Sequence, residues 1–188
     1  RRPSLHEPET AVAEDVLRML NDQLLAVPDG FSVSPKLQKQ LERRRATIGA
    51  DGGIEWAHAE SLAIASLLVD GIPVRFTGQD TERGTFSQRH LVLHDPKAGL
   101  RWAPIQHLPG AKAALELHNS PLSEYACLGF EYGYAVAAPE ALVLWEAQFG
   151  DFVNGAEVIV DQFIFGGLAK WGMTSRLTLL LPHGYEGQ

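Results

Sequence analysis

Glu124 is the carboxylate whose setting most invites chemistry. It lies in Asn119-Ser-Pro-Leu-Ser-Glu-Tyr-Ala-Cys-Leu-Gly-Phe-Glu-Tyr-Gly-Tyr-Ala135, between two strand-like runs, Ala114–His118 and Ala141–Trp145. The pattern predicts a helix, with Ser120 as its cap and Pro121 at the first helical position, where a missing N–H costs nothing. Glu124 then falls in the first turn, near the positive end of the helix dipole. Taken alone, that placement reads as a stabilising surface carboxylate. A second concentration of polar groups is Gly78-Gln-Asp-Thr-Glu-Arg-Gly-Thr-Phe-Ser-Gln-Arg-His90. It follows the carboxyl end of a predicted strand, the usual place for ligands in open α/β sheets. Other candidates carry less. His90, His94 and His183 lack Cys or carboxylate partners at metal-ligand spacing. Cys127 reads as a small core residue in mid-helix. His58 and Glu60 do not share one helical face, so they make a poor metal pair. No phosphate-binding glycine loop and no nucleophile elbow is present.

The elements that must position these groups follow from periodicity. Trp56–Val69 reads as an apolar helix ended by Gly71, and Ile72–Thr77 as a buried strand. Leu91–Asp95 and Arg101–Ile105 read as short strands joined by a turn at Pro96–Gly99, and 105–113 as a loop. Asn154–Phe165 reads as one helix stopped by Gly166-Gly167, and Arg176–Leu181 as the last strand. The order predicts an α/β fold with a mainly parallel sheet and helices on both faces. Three loops, 78–90, 147–153 and 182–188, then gather at the carboxyl ends of strands, beside the start of the Glu124 helix. Along that helix Ala126, Gly129, Gly133 and Ala137 form a nearly smooth ridge, which implies a close neighbour. Residues 1–50 differ: helical periodicity over Glu9–Leu25, a turn at Val27–Gly30, and a basic helix over Lys36–Ala46 whose Lys36, Lys39, Arg43, Arg44 and Arg45 read as a solvated face or a subunit contact. Asp51-Gly-Gly53 breaks the chain after it.

Composition narrows the class. Hydrophobic residues are 45% and charged residues 21%, the profile of a packed domain. The formal net charge of -7 gives no electrostatic support for nucleic acid. One cysteine excludes an internal disulfide framework and fits a reducing compartment. No apolar run reaches membrane-span length, and Arg1-Arg-Pro-Ser4 does not read as a signal peptide. There is no initiator Met, and the last strand is followed by only a short glycine-rich stretch. Both features lead us to expect an interior piece of a longer protein.

Five stretches occur in order: Gly78-Gln-Asp-x-x-Arg-Gly-Thr-Phe-Ser-Gln-Arg-His90, Asn119-Ser-Pro-Leu-Ser-Glu124, Gly129-Phe-Glu-Tyr-Gly133, Leu144-Trp-Glu-Ala-Gln-Phe-Gly-Asp-Phe152 and Leu180-Leu-Pro-His-Gly-Tyr-Glu-Gly187. Together they resemble the E1 components of 2-oxoglutarate dehydrogenase complexes, from about Ile54 to Gln188. Pro-Leu-Ser-Glu is weak by itself; Trp-Glu-Ala-Gln-Phe-Gly-Asp-Phe is specific. The resemblance implies a transketolase-type, pyrimidine-binding fold for thiamine diphosphate over 51–188, truncated at its C-terminal end, with 1–50 as a helical connector. It implies that Glu124 hydrogen-bonds N1′ of the aminopyrimidine. Proton sharing there favours the imino tautomer of the exocyclic nitrogen, which then removes the thiazolium C2 proton. It places Phe149 on the pyrimidine face, with Leu122 and Gln148 as further cofactor contacts. Gln79, Arg83, Ser87 and His90 would border the entrance, where an arginine can meet a dicarboxylate bidentately. His183 lies on the loop that carries active-site histidine chemistry in the family, either in that role or shaping the loop. The implied reaction is decarboxylation of 2-oxoglutarate, with succinyl passed to a lipoyl group on an E2 partner. Magnesium and the diphosphate belong to a domain outside this sequence. A homodimer is expected, in bacterial cytoplasm or, alternatively, the mitochondrial matrix. Other readings are an E1 for a related 2-oxo acid such as 2-oxoadipate, or a non-catalytic interaction domain that keeps the fold.

Overall fold

Four parallel strands form the centre: β1 Val74–Gly78, β4 Leu115–Asn119, β5 Leu142–Glu146 and β6 Leu177–Leu180, in the order β4-β1-β5-β6. A computed structural model describes residues 8–48 and 53–184. Most of the Asp51–Gly53 break and the end of the last motif, Tyr185–Gly187, lie outside the described residues. The small strands β2 Leu93–His94 and β3 Arg101–Trp102 pair antiparallel as a separate hairpin, shorter than the sequence suggested. Pro104–His107, expected as the end of a strand running into a loop, forms a turn of 3-10 helix.

The period-two alternation of the strands sorts side chains to two faces. Val74, Phe76, Leu115, Leu117 and Leu144 pack into one core with Leu62, Ile64, Ala65 and Leu68 of the helix α3, Trp56–Asp70. The other face turns toward the helix α4, Glu124–Ala137, whose Cys127, Leu128 and Tyr132 bury Trp145. Helices therefore cover both faces, as the sequence predicted. The N-terminal helices α1, Glu14–Leu24, and α2, Pro35–Ala46, lie on the α3 side, and Leu20 and Leu24 join the same core as α3. Truncating Leu20 or Leu68, each fully buried, to Ala costs roughly 2–5 kcal/mol.

Two expectations about helices need correction. The basic run in α2 is not wholly solvated: Arg44 is buried, at 4% exposure, while Lys36, Lys39, Arg43 and Arg45 remain exposed. Asn154–Phe165 is not one helix ended by Gly166-Gly167, and helical turns run on both sides of it. The chain is 3-10 helix over Gly150–Ala156, one α turn at Glu157–Ile159, π-helix over Val160–Phe165, and α-helix again over Gly167–Trp171. Gly155, Gly166 and Gly167 each weaken a regular α-helix by about 1 kcal/mol relative to Ala. The chain instead follows α4, where Ile159 covers Gly129, its Cδ1 3.4 Å from where a Cβ would stand, and the Tyr132 hydroxyl lies against Gly167.

The core also buries a titratable group. His58 on α3 is 1% exposed and sits 2.6 Å from Asn21 Oδ1 of α1, so its Nε2–H donates there. Burial, and then the nearby Arg44 charge, push its pKa down from 6.5 to about 4. The unfolded chain therefore takes up this proton first. The stability is complete above pH 6.5 and is lost as pH falls toward 4. Urea unfolding at about pH 7 and about pH 4.5 should differ by roughly 2–3 kcal/mol from this group. His58→Gln should remove that part of the slope; an unchanged slope contradicts the assignment.

Candidate active site

The carboxyl ends of the strands line up. Gly78 of β1 pairs with Asn119 of β4 on one side and Glu146 of β5 on the other, and Glu146 pairs with Leu180 of β6. Every predicted site residue springs from this row. Gly78 is required by close approach: a Cβ there would collide with the Glu146 carbonyl oxygen. From β1 the polar loop turns back under Asn119, whose Oδ1 meets Thr81 Oγ1 at 3.0 Å and accepts from Glu82 N at 3.1 Å.

From β4 the chain turns into α4 later than predicted. The cap is Ser123, not Ser120, and Glu124 is the first helical residue. Ser120 is spent otherwise: its N–H donates to Gly78 O at 2.7 Å and its Oγ accepts from Leu122 N at 3.3 Å, closing a turn before the helix. Ser123 Oγ accepts from Ala126 N at 3.4 Å. A serine cap stabilises by about 1 kcal/mol, while Gly129 and Gly133 each cost about as much. The helix therefore depends on the packing of Cys127, Leu128, Tyr132 and Ala135 rather than on propensity. Of the smooth ridge, Gly129 is covered by Ile159 from the same chain, whereas Ala126, Gly133 and Ala137 are exposed.

Glu124 is half-buried, and its Oε1 accepts from Gln79 Nε2 at 3.1 Å, so the first two predicted site residues meet. The narrow cleft between them is bounded by Leu122, Trp145, Glu146 and Gln148 and holds about 10 Å3. That is no more than one water needs, about 10–15 Å3. Gln148 Oε1 is buried with no hydrogen-bond partner among the described residues. Its backbone oxygen is taken by Thr85 Oγ1 at 2.6 Å. Phe149 is 38% exposed and stands edge-on to Phe86 at 5.8 Å and to Phe152 at 5.5 Å between centroids. Phe152 is itself exposed at 47%, so the three aromatics form an open rim.

The entrance loop holds the remaining candidates. Arg83 Nε donates to Asp80 Oδ2 at 3.0 Å and its Nη1 to Ser87 Oγ at 3.3 Å; hydrogen bonding to Asp80 raises its pKa, so it stays charged. His90 is half-buried, and burial together with the Arg44 charge lowers its pKa, so at neutral pH it is a neutral donor and acceptor. Ser87 and His90 both have left-handed φ angles, 53° and 54°. Non-glycine residues held there cost of order 1–3 kcal/mol each and need support from their surroundings. His183 makes no hydrogen bond to Glu124 or Gln79 among the described residues. Its Nδ1 lies 3.1 Å from Asp151 Oδ1, and its ring occupies the space a Cβ on Gly150 would need. Gly150 N also donates to Pro182 O at 2.8 Å, which fastens the loops after β5 and β6 together.

The sequence reading missed the buried charges beneath the site. Arg89 is 2% exposed and bridges Glu146, at 2.6 and 2.7 Å, and Glu60 of α3, at 2.6 Å. Burial by itself would lower the arginine pKa, but the hydrogen bonds to Glu146 and Glu60 outweigh it and raise it. Burial pushes the Glu146 carboxyl up against the opposing pull of Arg89. The only local signal was a Glu closing the apolar strand Leu142–Trp145.

The residues fit a flat, heteroaromatic ligand with hydrogen-bonding edges: a carboxylate, an unmatched amide acceptor and an open aromatic face converge at one sheet edge. A sequence model of the family described as transketolase, pyrimidine binding domain, matches residues 52–188. The chain belongs to this family. Among curated proteins it is similar to the 2-oxoglutarate dehydrogenase E1 component of Geobacillus kaustophilus (strain HTA426), 59% identical over 184 residues, 98% of this chain. The protein of the same name from Geobacillus sp. (strain WCH70) is 58% identical over 180 residues, and that from Bacillus cereus (strain B4264) 56% over 180, each 96% of this chain. The chain spans 19% of the length of each of these relatives. The fold expected from the resemblance is thus the family's fold, and membership in the pyrimidine-binding family implies thiamine diphosphate as cofactor. No helix among the described residues is long and apolar enough to cross a membrane.

Proposed function

We propose that this chain is the pyrimidine-binding part of a thiamine diphosphate-dependent 2-oxoglutarate dehydrogenase E1. The observation that carries the reading is Glu124, the first residue of α4, held by Gln79 beside the unmatched Gln148 Oε1 and the open Phe149 ring. Glu124 would share a proton with N1′ of the aminopyrimidine, and Gln148 Oε1 would accept from an N–H on its other edge. Phe149 and Leu122 would cover the ring. When bound, thiamine diphosphate supplies the carbon nucleophile that attacks the keto carbon and the electron sink for decarboxylation. Arg83, charged at every working pH, is the entrance residue suited to the distal carboxylate of 2-oxoglutarate; neutral His90, with Ser87, offers hydrogen bonds instead. His183 shapes the loop through Asp151 and Gly150.

The cleft inside this chain is too small for a ring, so the cofactor would lie across its mouth, against a second polypeptide surface. That requirement supports a homodimer, with the diphosphate and magnesium held by another domain, residues 1–50 leading into 51–188, and a lipoyl-bearing E2 accepting the succinyl group. The bacterial relatives support a cytoplasmic setting. In the full-length enzyme with thiamine diphosphate and magnesium, carbon dioxide should be released from 2-oxoglutarate in preference to 2-oxoadipate. Phe149→Ala should weaken cofactor binding about 5–30-fold, the worth of one aromatic stacking contact. No release from 2-oxoglutarate by the loaded wild type overturns the reading.

A further inference from the structure

We propose that Arg44, which lies outside the stretch matched by the family, is a positioning residue that holds the entrance loop in its site-lining conformation. It is the one member of the α2 basic run turned inward. Its Nη1 donates to Arg89 O at 2.9 Å, and its Nη2 donates to Gln88 O. The peptide unit joining Arg89 to His90 is thereby held from both edges. Arg44 takes its carbonyl, and its N–H donates to Arg83 O at 3.0 Å. The orientation of that unit sets the φ of His90, whose left-handed value an unsupported histidine rarely keeps. Arg89 itself carries the buried bridge to Glu146 at the end of β5. A clamp on residues 88–90 therefore fixes the return limb of the loop that presents Gln79 to Glu124, Thr85 to the Gln148 carbonyl and Phe86 to Phe149.

A simple space-filling role makes a different forecast. An apolar side chain of similar length would then serve as well as arginine. With the clamp, such a side chain strands one buried carbonyl, Arg89 O, and one part-buried carbonyl, Gln88 O, and lysine, with one charged donor group, restores part of the effect.

The functional half of this inference rests on the proposed cofactor site; the conformational half does not. The test compares Arg44→Met and Arg44→Lys with wild type in the full-length enzyme, by hydrogen exchange and by thiamine diphosphate titration. Arg44→Met should speed exchange at the Arg89 and His90 amides by about 10-fold or more, the loss of charged hydrogen bonds, with β1, β4 and β5 unchanged. It should also raise the cofactor Kd about 5–10-fold through the loosened loop. Arg44→Lys should fall between wild type and Arg44→Met in both. Exchange that is unchanged in the loop, that rises equally across the sheet, or that is the same in both variants overturns the clamp. A wild type that fails to bind thiamine diphosphate sinks the proposed function, while the exchange comparison still decides the clamp.

Discussion

Glu124→Gln in the full-length enzyme should lower 2-oxoglutarate decarboxylation by about 10²–10⁴-fold, the range for losing a positioned proton-transfer group. Glutamine preserves the shape of the side chain and an oxygen for Gln79 Nε2, which now meets Oε1 at 3.1 Å. It removes the ability to share a proton with a ring nitrogen. Stability should change little, because Glu124 is half-buried and takes part in no ion pair among the described residues. Substrate KM should move less than kcat, since nothing in the reading puts Glu124 on the 2-oxo acid. A Glu124→Gln enzyme within a few-fold of wild type, about threefold or less, would contradict a proton role of this size.

Arg89→Met should destabilise the chain by about 3–5 kcal/mol in urea unfolding, because it leaves Glu146 buried without its cation. Glu146 is 4% exposed and already has its pKa pushed up by burial, with only Arg89 pulling it down. Glu60 is less affected, since its side chain is 30% exposed and can be rehydrated. Adding Glu146→Leu to Arg89→Met should recover most of the loss, as replacing a whole buried pair by apolar groups of similar volume is often near neutral. Set against a total stability of about 5–15 kcal/mol, the single variant is close to the threshold of folding and the double variant is not. A single variant within about 1 kcal/mol of wild type, as for an exposed pair, would show that Glu146 finds other partners.

These buried charges also mark where the sequence stopped being readable. A strand such as Val74–Gly78 announces itself as a short apolar run between turn signals, and it is buried along almost its whole length. Glu124, Gln148 and Phe149 were placed by short contiguous motifs, and the aligned ends of β1, β4 and β5 bring those motifs together. Arg89 and Glu146 are 57 residues apart, so nothing local records their pairing. Arg44 was hidden among four other basic residues of α2, which share its type but not its direction. The cap of α4 slipped by three residues because Ser120 and Ser123 are both competent caps; the Gly78 carbonyl, reached only across the sheet, claims the first. Asn154–Phe165 was misread as one helix because an apolar run such as Val158–Phe165 looks helical whichever ladder its backbone adopts. Its glycines and its contact with α4 decide that.

The most direct measurement of the central claim is hydrogen–deuterium exchange at the thiazolium C2 of thiamine diphosphate bound to the full-length enzyme, wild type against Glu124→Gln. The account predicts that the variant binds the cofactor and exchanges C2 about 10² times more slowly or worse. Equal exchange rates with the cofactor bound in both would show that Glu124 does not serve the proton transfer assigned to it.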